Sequence, residues 1–167
     1  QGMTENFRMN RLLMWIQPEN YSSGIGYQTV QGLYAIGSGG LFGKGLGKSL
    51  QKLGFIPESQ NDMIFSIICE ELGLFGAMCI ILVFALMLWR IIHIAQNAPD
   101  LFGTMLAAGV FAHVAVQVVL NIAVVTNFIP NTGVSLPFIS YGGTAGFFLL
   151  LEMGIVLNIS SKIRLER

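Results

Sequence analysis

Four carboxylates, Glu58, Asp62, Glu70 and Glu71, fall between Pro57 and Gly73, in a chain with only nine acids in all. A carboxylate in such a place can act as a general base, hold a cation, or cap a helix. Here the chain leaves a polar, glycine-rich region and enters its first long apolar run, and a charge at a membrane boundary is costly enough to need a reason. Asp62 directly precedes Met63-Ile64-Phe65. Taken by themselves, these residues fit a helix N-cap or first-turn acid favoured by the helix dipole. The same geometry could present a carboxylate for chemistry. Glu70 and Glu71 lie two turns deeper, where pairing with groups on neighbouring spans is expected.

A second candidate is Gly37-Ser38-Gly39-Gly40-Leu41-Phe42-Gly43-Lys44-Gly45-Leu46-Gly47-Lys48. Glycines allow positive φ and close backbone approach to a ligand. A P-loop is absent: Gly43-Lys44 has Ser38 where the first Gly belongs and Gly45 after it, and Gly47-Lys48-Ser49 has Phe42 in the first Gly position. The dinucleotide fingerprint fails at Phe42 as well, so no nucleotide is expected. Two readings stay open, a flexible re-entrant or surface loop and a diphosphate site built from backbone N–H groups with Lys44, Lys48 and Lys52.

The elements that must position these groups are membrane helices. The chain is 53% apolar and 11% charged, with a mean hydropathy of +0.66, against about a quarter charged in soluble domains. No Asp, Glu, Lys or Arg occurs from Leu101 to Leu151. The formal net charge is zero and the basic residues form no block, so nucleic acid is not an expected partner. Cys69 and Cys79, roughly 15 Å apart along one expected helix, cannot form a disulfide.

The pattern predicts an all-α integral membrane protein with spans at about 63–89, 101–126 and 144–160. Residues 1–62 precede them as a loop region with short interfacial helices, and 161–167 form a tail. The first span is expected to end at Trp89-Arg90. In the second, His113, Gln117 and Asn121 recur every four residues on one face, which must point into a bundle and suits interhelical hydrogen bonding; Gly109 on the same stripe would allow close approach. Glu152, alone in the third span, should face protein. Residues 127–143, with Pro130, Gly133, Pro137, Gly142 and Gly143, read as a hydrophobic loop dipping into the membrane surface. Lys162, Arg164, Arg167 and Arg90 place the tail and the 90–100 link in the cytoplasm. Residues 1–62 and 127–143 are then extracytoplasmic.

Several stretches, in order, resemble a known family: Gly26-Tyr27-Gln28, Ala35 to Gly45, Pro57-Glu58 with Asn61-Asp62, Glu70-Glu71-Leu72-Gly73, and Pro137-Phe138-Ile139-Ser140-Tyr141-Gly142-Gly143. Together they resemble the SEDS proteins FtsW, RodA and SpoVE, over nearly the whole chain, with a weak lean to the division and sporulation members. The resemblance implies that these are the last three spans of a bundle of about ten, in a piece of something longer. It implies a peptidoglycan glycosyltransferase that polymerises lipid II at the outer face of the bacterial plasma membrane. The family's essential aspartate falls on Asp62. The sequence departs from the family at Gln60, where His is usual, and at Asn131 in Pro-Asn-Thr-Gly.

In that reaction a sugar 4-hydroxyl attacks an anomeric carbon and displaces lipid diphosphate. The hydroxyl needs a base, for which Asp62 is the candidate, and the leaving group needs positive charge. Lys44 and Lys52 are candidate diphosphate contacts, and Gln28, Glu58, Ser140 and Tyr141 further substrate contacts. Glu70, Glu71, His113, Gln117, Asn121 and Glu152 are expected to be structural. The resemblance leaves room for a divalent cation (Mg or Mn) with Asp62 as a ligand, and implies a class B penicillin-binding protein as partner, beside membrane lipids. The present stretch alone is expected to be inactive. Two rivals remain. A flippase for lipid-linked precursor would explain the polar stripe and Glu152, and a non-catalytic divisome scaffold would need no acid at all.

Overall fold

The computed structural model describes residues 13, 15, 16, 25–49 and 61–163. Glu58 and Lys52 lie outside the described residues. Among the described residues the elements run α1 (Ile25–Gly39), α2 (Ile64–Gln96), α3 (Leu101–Val125) and α4 (Gly143–Lys162), with no strand. Three of these, α2, α3 and α4, are long and apolar enough to cross a membrane.

α3 carries Ala107, Val110, Val114, Val118 and Val125 at helical spacing, all buried. Small and β-branched side chains in this stripe let α3 lie close against α2, which turns Ala77, Phe84 and Ile91 inward. α4 adds Leu149, Val156 and Ile159. Only 33% of the most apolar stretch of α3, and 17% of those of α2 and α4, is buried in this chain. The remaining apolar faces suit lipid or further spans. Gly109 does not serve the close approach expected of it, since a side chain built there would touch nothing within 4 Å.

α2 does not end at Trp89-Arg90 but continues to Gln96. The reason is amphipathic: Ile91, Ile94 and Ala95 remain on the core face while Arg90 and His93 are exposed. Asn97 then closes the helix, its side-chain amide donating to the His93 carbonyl at 2.7 Å. The link to α3 is therefore shorter than expected. Asp100 caps α3 by accepting from the Gly103 amide. At the far end of α3, the amides of Asn127 and Phe128 donate to the carbonyls of Val124 and Ala123. With Asn127 at φ 57°, this is a Schellman closure.

α2 is broken at Gly73, whose φ of 69° and ψ of −170° are not helical. Such a break strips backbone groups of their partners, and in a membrane each orphan costs several kcal/mol unless protein supplies the bond. The glycine-rich segment after α1 supplies all of them. The amides of Lys44 and Gly45 donate to the carbonyls of Glu70 and Glu71 at 2.9 and 3.0 Å. The amides of Leu74 and Phe75 donate to the carbonyls of Gly40 and Leu41 at 2.9 and 3.1 Å. Residues 40–45 are thus neither a free loop nor a ligand-binding loop. They form a backbone clasp, because only glycines let the two chains come this close. A Cβ on Gly43 would sit 2.2 Å from the Glu71 carbonyl oxygen.

Candidate functional site

Asp62 lies in the turn of residues 61–63 that leads into α2. It is not the cap of that helix. The N-cap position belongs to Met63, which is buried and makes no side-chain cap bond. The Asp62 carboxylate instead accepts from the side-chain amide of Gln28, on α1, at 3.4 Å. Gly32, one turn along α1, is buried beside Ser66 and Met63, so α1 lies directly against the start of α2 and brings Gln28 to the aspartate. The expectation that Gln28 belongs to the same site is matched by this contact.

From the other side comes Asn121 of α3. Its Nδ2 donates to the main-chain carbonyl of Asp62 at 2.9 Å and to that of Val134 at 2.7 Å. This one amide therefore joins α3, the Asp62 turn and the 127–143 loop. Asn121 was expected only as a member of an interhelical stripe, and periodicity could show no more. Its bonds go to two non-helical carbonyls, and those depend on where the loops fold.

The 127–143 loop is anchored in protein rather than merely laid on a surface: Leu136 and Pro137 are fully buried. The Ser140 hydroxyl accepts from the Leu136 amide at 2.7 Å while the Ser140 amide donates to the Leu136 carbonyl at 3.1 Å. Ser140, a candidate substrate contact from sequence, thus shapes the loop. Between them Phe138 adopts φ 62°, unusual for a bulky residue, and the Ile139 amide closes a three-residue turn on the Pro137 carbonyl at 2.8 Å. Tyr141, at 78% exposure, stands out from the loop and is available for contact. A cleft of about 470 Å3 extends from Val134 along α3, past Leu120 and Gln117, to His113.

The deeper acids have other work. Glu70 is fully buried, 2.7 Å from the Lys44 ammonium, and also accepts from the hydroxyls of Ser49 and Ser38. Its partners come from the glycine clasp rather than from neighbouring spans as expected. Lys44 is correspondingly engaged by Glu70, which argues against it as a diphosphate contact. Glu71 holds the clasp through its carbonyl, and its buried Oε1 has no partner among the described residues. His113 Nδ1 lies 3.0 Å from Glu152, so α3 and α4 are joined across the membrane region, and Glu152 does face protein. The buried Gln117 Oε1 has no partner among the described residues.

The Lys44–Glu70 pair makes an asymmetric prediction. Lys44→Met alone should destabilise the full-length protein by about 2 kcal/mol or more, because it leaves a buried carboxylate without its cation. Lys44→Met combined with Glu70→Gln should recover much of that loss. Thermal unfolding in detergent measures it, and equal losses in the single and double variants would contradict the pairing.

Among the described residues no three His, Cys, Asp or Glu side chains converge. This part of the chain therefore does not assemble a divalent-cation site, and Asp62 could contribute at most one ligand to such a site.

The sequence profile of the FtsW/RodA/SpoVE proteins, described as cell cycle protein, matches residues 2–165. The chain belongs to this family. Stage V sporulation protein E of Bacillus subtilis is 48% identical over 92% of the chain, and the probable peptidoglycan glycosyltransferase FtsW of the same organism 43% over 94%. The FtsW/RodA/SpoVE chain described here spans 42% and 39% of those two relatives' lengths. Among solved structures, a mutant of the rod shape determining protein RodA of Thermus thermophilus matches with a TM-score of 0.61 at 30% identity, over 81% of this chain and 41% of that one. A chain of a peptidoglycan synthase complex that coordinates polymerization and crosslinking matches with a TM-score of 0.74 at 24% identity, over 96% of this chain and 43% of that one. The latter likeness concerns the fold. Family membership and three apolar spans make this a bacterial membrane protein of all-helical build.

Proposed function

We propose that the full-length protein polymerises lipid II into glycan strands, with Asp62 as the reacting carboxylate. The observation that carries this is the engagement of Asp62 on a non-helical turn, held by α1, α3 and the 127–143 loop, instead of its use as a helix cap. Relatives named as probable peptidoglycan glycosyltransferases support the reaction class.

In this reading the Asp62 carboxylate takes the proton from the acceptor 4-hydroxyl as the oxygen attacks the anomeric carbon, and the lipid diphosphate departs. Gln28 orients the carboxylate, and Tyr141 faces the substrate. Charge to balance the leaving diphosphate comes from groups beyond those described, Lys52 being one candidate and a divalent cation another. The Asp62 turn and the 127–143 loop lie on the extracytoplasmic side, with Arg90 and the tail in the cytoplasm. A class B penicillin-binding protein that crosslinks the product strand is the proposed partner.

The His113–Glu152 pair keeps a transporter in view, because intramembrane ionisable groups often mark a pathway. Purified full-length protein supplied with lipid II in vesicles separates the two. Glycan chains of many disaccharides are expected, whereas movement of lipid II between leaflets without chain growth would sink the polymerase reading.

A further inference from the structure

Asn121 is fully buried in a stripe that otherwise consists of Val110, Val114, Val118 and Val125. Apolar packing would be served better by another valine, since a buried amide costs free energy unless it is bonded. Its Nδ2 bonds reach carbonyls 59 and 13 residues away in sequence, at Asp62 and Val134. Neither carbonyl lies within a helix, so neither position is set by helical geometry. Its Oδ1 is buried and without a partner among the described residues, so the side chain is held there by its donor end.

From this geometry we infer that Asn121 is a positioning residue for the reaction, setting the Asp62 carboxylate against the 127–143 loop. The inference rests on the reading of Asp62 given above. Fixing the Asp62 carbonyl fixes the peptide from which its side chain departs, leaving only the side-chain torsions to settle. Gln28 restrains those from the α1 side. The same amide fixes the loop through Val134, upstream of the buried Leu136-Pro137 anchor and the strained Phe138 turn. The acid and the loop that would face one substrate are thus held at a set separation by a group that touches neither the substrate nor the acid's oxygens.

The test uses the full-length protein in nanodiscs, comparing wild type with Asn121→Leu and with the smaller Asn121→Ala. A misplacement of about 1 Å can cost on the order of 100-fold in rate. Turnover of lipid II should therefore fall roughly 10- to 100-fold, with KM changing less than about threefold. Hydrogen–deuterium exchange should rise at residues 61–63 and 133–136 together, while the helix interiors remain protected. Turnover within about twofold of wild type in both variants, or unchanged exchange at the two segments, overturns the inference. So does exchange rising throughout α2 and α3 in both variants, which would make Asn121 a folding group. Asp62→Asn, assayed in parallel, separates the two levels: wild-type turnover there removes the reading of Asp62, while a dead Asp62→Asn beside an active Asn121→Leu removes only the role of Asn121.

Discussion

Full-length protein carrying Asp62→Asn is expected to polymerise lipid II at least about 100-fold more slowly than wild type, the range that loss of a general base produces. The substitution is close to isosteric, and its likely structural consequences are small for reasons visible in the fold. Asn121 holds Asp62 by the main-chain carbonyl, which the change leaves in place. Gln28 can still donate to a side-chain oxygen at the same position. No helix cap is lost, because Met63 occupies the cap position without a side-chain bond. A loss of turnover would accordingly report the missing carboxylate and not a rearranged site. Unchanged thermal unfolding and retained lipid II binding should accompany it. Near wild-type turnover would remove Asp62 from the chemistry, and normal division or growth with Asp62→Ala would favour a protein that only recruits partners.

The second large effect is expected at the helix break. Gly73→Ala puts a Cβ 2.3 Å from the Gly43 amide nitrogen and 2.6 Å from the Leu41 carbonyl oxygen, at a residue whose φ is +69°. Both obstacles are backbone, so no side-chain rotation relieves them. Gly43→Ala meets the same clasp from its other face, at φ +76°. Either variant must pull the clasp open, exposing the carbonyls of Glu70 and Glu71 and the amides of Leu74 and Phe75 to unsatisfied burial. The Lys44–Glu70 pair, carried by the same segment, would part with it. A loss of about 3 kcal/mol or more is expected, from backbone strain together with orphaned hydrogen bonds. It would be seen as little folded protein recovered from membranes, or a sharply lowered unfolding temperature in detergent. Wild-type stability in both variants would mean that the clasp is not closed in the membrane.

Much of the architecture was legible because membrane helices follow from length and apolarity alone. A charge-free run from Leu101 to Leu151, broken by Pro130 and Pro137, leaves little choice of element. The end of α2 was misplaced because Trp89-Arg90 has the composition of an interface, while the core-facing positions Ile91, Ile94 and Ala95 carry the helix onward. Gly109 misled for the opposite reason. A small residue permits close approach but does not compel it.

The sequence by itself determined the spans, the family and the aspartate singled out for chemistry, because these rest on residue type and order. Only the tertiary structure decided what each polar group does, since a hydrogen bond depends on which segments meet. It turned the glycine-rich stretch from a free loop or ligand loop into the partner of a broken helix. It gave Lys44 to Glu70, took Asp62 out of the cap position, and placed Asn121 between two loops that are far apart along the chain.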